Sequence, residues 1–189
     1  MKYSNKDIIK YYRKMEFDKY SGINPEIIQF DDHEIKILRS LLYDSSNKRA
    51  LVHLNLDYIE NPESTKNFIR KFYNDVDEEL LDNYINRNSK WTLIDKNIKI
   101  NENVLWYEEY EMKNKLKNKI KEYIYGDSGL FSSYYTVSLS RIGFNGNKSK
   151  AMLEYGTTVA FLCGSGKYLF FERTGENWHI VNAIGSWIS

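Results

Sequence analysis

Apolar positions recur along this chain with two periods, and the change from one to the other divides it. Over residues 1–48 the spacing is helical. Ser4 with Asp7 reads as a capping box, after which Ile8, Tyr11, Tyr12 and Met15 share one stripe. Asn24-Pro25-Glu26 sets a capping residue before a proline at a first helical position and predicts a short turn. Asp31 with Glu34 caps a further helix whose buried side is Ile35, Leu38, Leu41 and Leu42. Residues 50–59 alternate instead. Ala50, Val52, Leu54, Leu56 and Tyr58 face one way, and Leu51, His53, Asn55, Asp57 and Ile59 the other, as in a half-buried strand. Helical spacing returns after Asn61-Pro62-Glu63, with Phe68, Ile69, Phe72, Tyr73 and Val76 on one stripe. Leu80, Leu81, Tyr84 and Ile85 continue it or belong to a second helix begun at Asp77, and Asn86 to Ser89 read as a helix end and loop. Met112, Leu116, Ile120 and Ile124, four apart, mark an amphipathic helix within 106–125.

From Tyr134 the period is two. Tyr135, Val137, Leu139 and Arg141 oppose Thr136, Ser138, Ser140 and Ile142, and Asn145-Gly146-Asn147 is a turn. Ala151, Leu153 and Tyr155 alternate with Met152 and Glu154 in a second strand, and Gly156 to Gly166 reads as a glycine-rich bend. A third strand over 167–173 turns at Thr174-Gly175-Glu176-Asn177 into a fourth, Trp178 to Ile188. Strands that follow helices, instead of alternating with them, predict an α+β fold with an antiparallel meander. We read 1–189 as a single domain: a mainly helical part over 1–48, a strand plus helices over 49–125, and the β-meander over 134–189.

A chain of 189 residues is long enough to bury roughly 70% of its unfolded surface without a metal or disulfide staple. Twenty-seven Lys and Arg against 26 Asp and Glu argue against a nucleic-acid partner. The lysines at 113, 115, 117, 119 and 121 spread around a helix beside four glutamates and read as a solvated face. No apolar run reaches the ~20 residues of a membrane span, and the N-terminus has no signal-peptide core, which together predict a soluble, cytoplasmic protein with no membrane partner.

Few residue groups suggest chemistry. Gly164-Ser165-Gly166-Lys167 lacks the first glycine and the trailing Ser or Thr of a phosphate loop, and it precedes a strand, so it reads as a turn or bulge. Cys163 follows Ala160-Phe161-Leu162 and reads as a buried thiol, not a nucleophile served by His53 or His179. One Cys and three scattered His give no zinc pattern. His53, Asn55 and Asp57 share a strand face, where a histidine and a carboxylate could form a general base or simply meet solvent. Arg141, Glu154 and Glu172 lie in apolar strands, where a charge needs a partner. We therefore expect Arg141 to meet one of these carboxylates, as a structural ion pair or as the polar floor of a pocket. Tyr155 and Tyr168 join Tyr134, Tyr135, Trp178 and Trp187 in an aromatic concentration that is either core or interface.

Ser140-Arg141-Ile142-Gly143-Phe144-Asn145, the Ala151–Tyr155 strand, Gly164-Ser165-Gly166-Lys167-Tyr168, Gly175-Glu176-Asn177-Trp178 and Trp187-Ile188-Ser189 together resemble an uncharacterised bacterial protein family, a domain of unknown function. Here a lysine separates Gly166 from Tyr168, where that family has the aromatic directly after the second glycine. The likeness covers about 50 residues well; it implies a bacterial origin and a β-meander, and no chemistry. A curved sheet backed by helices is also similar to cystatin- or NTF2-like architecture. The expectation is a protein-binding module of the immunity or antitoxin kind that needs no cofactor and no metal, more a non-enzyme than an enzyme. Its alternative is a small-molecule-binding protein or hydrolase with a pocket between sheet and helices. Binding candidates are Arg141, Glu154, Glu172, His53, Asp57, Tyr155 and Tyr168.

Overall fold

The computed structural model describes residues 4–15, 23–42, 49–56, 59–95, 97–107, 134–159 and 163–188. Helix α1, Asn5–Met15, starts as the sequence suggests: Ser4 N donates to Asp7 Oδ2 at 2.7 Å and Asp7 N to Ser4 Oγ at 3.3 Å. Helix α2, Asp32–Leu41, carries a full capping box, with Asp31 and Glu34 bonding each other's backbone amides. Asn61 caps α3, Pro62–Phe72, and Asp77 caps a separate helix α4, Glu78–Arg87. Each cap satisfies one of the orphan amide donors that a helix start leaves, typically contributing about 1 kcal/mol.

Ten strands are found among the described residues. Between the helices lie β1 (Glu26–Ile28), β2 (Arg49–Val52) and β3 (Asn55–Leu56), and after them β4 (Thr92–Ile94) and β5 (Val104–Trp106). The C-terminal part contributes β6 (Tyr134–Leu139), β7 (Gly143–Phe144), β8 (Lys150–Val159), β9 (Cys163–Thr174) and β10 (Asn177–Ile188). Seven form one mixed sheet in the order β10-β9-β8-β6-β2-β5, with β7 beside β8. Its meander strands pair antiparallel as expected; β2 pairs parallel with both β5 and β6. A three-stranded sheet, β1-β4-β3, stands apart.

Pleat alternation puts apolar residues on both faces of the large sheet. On one side Val137, Leu139, Ala151, Leu153, Leu169 and Phe171 join Ile37 and Leu38 of α2 and Ile28, Leu56, Leu93 and Ile94 of the small sheet. On the other, Met152, Tyr168, Phe170 and Ile184 meet Ile69 of α3 and Leu80, Leu81, Tyr84 and Ile85 of α4. The result is three layers, with the sheet in the middle.

Four expectations need correction. The single strand over 50–59 is two: after Val52 the chain bends at His53–Leu54 and β3 enters the other sheet, while Ala50, Val52, Leu54 and Leu56 all stay buried. The turn at Asn24-Pro25-Glu26 leads into β1, which pairs parallel with β4. On α2 the buried stripe runs through Glu34, Ile37 and Leu38, rotated from Ile35 and Leu41. The glycine-rich bend is strand: Gly156 pairs with Gly166 and Thr158 with Gly164 inside the β8–β9 ladder. The helix expected within 106–125 lies almost wholly outside the described residues.

Candidate functional site

The segment Ser140 to Asn145, between β6 and β8, is a seam between α4 and the sheet. Ser140 pairs with Glu154 through backbone and side chain: its N donates to Glu154 O at 3.0 Å and its Oγ accepts from Glu154 N at 2.7 Å. Asn88, buried just past α4, imitates a strand partner for Arg141, accepting from Arg141 N at 2.6 Å and donating to Arg141 O at 3.0 Å. Gly143 lies against Tyr84, where an added Cβ would sit 2.5 Å from the tyrosine Cβ, so any larger residue would push the helix off the sheet. Phe144 N donates to Asn83 Oδ1, and Asn145 folds its amide back onto Ser149 N and Lys150 N to hold the turn.

Charge gathers around this seam. The Phe144 ring meets His33 and Trp178 edge-on, with Arg87 and Lys148 over it. Arg87 Nη2 donates to Oε1 of Glu34 at 2.8 Å, and Lys148 to Asp31 Oδ2 at 2.8 Å. Arg141 Nη1 is 3.6 Å from Glu26 Oε2. Desolvation raises the Glu34 pKa against the lowering pull of Arg87, and desolvation together with Arg87 lowers that of Arg141. Arg141 therefore meets Glu26, in the field of Glu34, and not Glu154 or Glu172. The alternation that pointed it at those carboxylates ends at Leu139, where the backbone leaves the strand. Glu26, Glu34 and Arg87 are the partners missed. Glu34 was readable, because it is spaced i, i+3 and i+4 with the buried Ile37 and Leu38.

The remaining candidates do not converge with Arg141. Glu172 is exposed on β9, flanked across the ladder by Lys150 and His179. Glu154 and Tyr168 sit opposite each other on β8 and β9, on the face towards α3 and α4, whereas Tyr155 points to the other face. His53 follows β2 and packs on Tyr107 with ring centroids 4.3 Å apart; burial lowers its pKa to about 4, so its imidazole is neutral. Asp57 lies outside the described residues, as does the Cys163 side chain. A cavity of about 230 Å³ is lined by Asn97, Ile98, Lys99, Ile100, Asn101, Val104 and Trp106, none of them a candidate. Among the described residues no three His, Cys, Asp or Glu gather as metal ligands, and no helix is long and apolar enough to cross a membrane.

Strand β10 is the less expected feature. It is an edge of the sheet, paired among the described residues with β9 alone, and its twelve residues include no Lys, Arg, Asp, Glu or Pro. Extra residues at Val181 and Ser186 shift its register against β9. Ile180, Val181, Trp187 and Ile188 are exposed there, Ile188 at 90%. The Trp187 indole reaches back over β9 and β8 onto Gly156, Gly164 and Gly166. A Cβ at Gly156 would lie 2.8 Å from Trp187 Cζ2 and one at Gly164 3.0 Å from Cζ3, while one at Gly166 would coincide with the five-membered ring. These glycines are bare so that a tryptophan can lie on them, which a reading of local turn signals could not foresee.

Comparisons with protein-family models, curated proteins and solved structures find no match, so neither the family resemblance nor the cystatin- or NTF2-like analogy draws support from them.

Proposed function

We propose that this chain is a non-enzymatic protein-binding module, of the immunity or antitoxin kind, that meets its partner through β10. One observation carries the reading: four of the seven large apolar residues found exposed lie on this one strand. Soluble domains expose such residues singly; gathered on an edge, they mark an interaction surface. Edge strands ordinarily carry charge or proline as protection. Here register shifts alone interrupt a strand that offers apolar side chains, and backbone groups unpaired among the described residues, to an extended segment of a partner.

Immobilised protein incubated with extract of its native cells is expected to retain a stoichiometric partner. An Ile180→Lys/Val181→Lys variant with an unchanged circular dichroism spectrum should lose that partner. Hydrogen exchange in the complex should slow along β10. Equal capture by both forms, or protection confined to other strands, would refute this surface.

A further inference from the structure

We infer that Trp187 and its glycine bed form a binding site for the ring of a neutral saccharide. The β9–β10 register sets Trp187 opposite Gly166, on the face of the sheet that also carries Tyr168 and Phe170, while Ile180 and Ile188 share the face of Leu169 and Phe171. The site is thus on the other side of β10 from those two isoleucines, and it does not depend on the protein-binding reading. Contacts at both ends of the indole with the three glycine positions lay the ring along the sheet, and 36% of the residue remains exposed. A tryptophan recruited only to fill space would be covered. This one is seated from below and left open above.

The surroundings select the ligand. Ser138 Oγ borders the Gly156 position and Thr158 Oγ1 the Gly164 position, so the hydroxyls of two half-buried residues lie on two sides of the six-membered ring. Among the described residues of β8, β9 and β10 no cation borders the ring: Lys167, the nearest lysine along β9, follows the pleat to the opposite face. A phosphate or nucleotide would find no counter-charge among these residues. A pyranose presents a flat C–H face that packs on the aromatic π-surface, together with peripheral hydroxyls that can exchange hydrogen bonds with Ser138 and Thr158. The site is open and small, so binding is expected in the millimolar to high-micromolar range, where a shallow contact of few groups falls.

The test is a titration of the folded full chain with maltohexaose, cellohexaose and chitohexaose, followed by the Trp187 indole N–H resonance, assigned by its disappearance in Trp187→Phe. At least one saccharide should shift that resonance progressively. Trp187→Phe should weaken binding severalfold, and Ser138→Ala/Thr158→Val, which leaves the indole and its glycines in place, by a similar amount. Ile180→Lys should leave it unchanged. If none of the three sugars moves the Trp187 resonance, if its shifts persist undiminished in Ser138→Ala/Thr158→Val, or if backbone amide shifts show Trp187→Phe binding as tightly as the parent, the inference is overturned. Either result leaves the protein-binding test standing.

Discussion

Glu34 shows how one side chain reverses its surroundings' usual rule. A carboxylate 2% exposed is tolerable because Arg87 and the Asp31 amide both reach it. Arg87→Ala leaves that charge buried without its hydrogen-bonded cation and should cost about 3–5 kcal/mol at neutral pH, measured by urea unfolding. Glu34 already has a folded pKa above its ordinary value, so protonation favours the folded state, and the variant's deficit should shrink as pH falls through that pKa. Glu34→Gln, which removes the charge, should cost less than Arg87→Ala; a larger cost would show that the pair as a whole is stabilising. His53 has the opposite sign. Its pKa falls from 6.5 to about 4 on burial, so the unfolded chain binds the extra proton first. Its contribution is whole above pH 6.5 and is lost between pH 6.5 and 4, by up to about 3 kcal/mol. His53→Gln should flatten that part of the stability profile, and an unchanged slope would place the titration elsewhere.

At the scale of elements, sequence and structure agree where a signal is local. The caps at Asp31 and Asn61 and the turn at Gly175, whose φ is 61°, were legible because each is settled within four residues, whereas a helix start at Asp77 was one of two alternatives. Strands β1, β4 and β5 are three residues each, too short to show a period. The break at His53–Leu54 was hidden because buried residues on both sides of it keep the same parity. Arg141's partners come from α2, α4 and β1, which no spacing within the meander could reveal. The seam makes a prediction of its own. Asn88→Ala removes three hydrogen bonds, to Tyr84 O and to both backbone groups of Arg141, and should destabilise by about 2–4 kcal/mol, because among the described residues the Arg141 amide has no other partner and the carbonyl keeps only the Ser140 hydroxyl at 3.3 Å. Asn88→Asp should be nearly as costly, since it keeps the acceptor and loses the donor. A loss under about 0.5 kcal/mol would mean that the seam is held by the Gly143–Tyr84 contact and the Phe144–Asn83 hydrogen bond.

For the whole molecule, the decisive property is a sheet buried on both faces, with α3 and α4 on one side and α2 and the small sheet on the other. That leaves few places for chemistry, and those found are at the margins: the charged seam, the 97–106 cavity and β10. The meander and the α+β class could be read from the chain, but the candidate site could not. Its residues were chosen for their chemical type, whereas the exposure of β10 and the emptiness of three glycines are properties of the assembled sheet.

The place of β2 in that sheet bears on how the protein is made. A strand synthesised at residues 49–52 finds its two neighbours only at 104–106 and 134–139, so ribosomal synthesis delivers its core edges late. Until then Ala50, Leu51 and Val52 lack one or both of their neighbours, and long-range parallel pairing is slow to form. A chain stopped before Tyr134 should therefore fail to fold, bind hydrophobic dyes and engage chaperones, while the finished chain does neither. A cooperative urea transition in the 1–133 fragment would contradict this. Folding, on this topology, waits until residues 134–139 have been made.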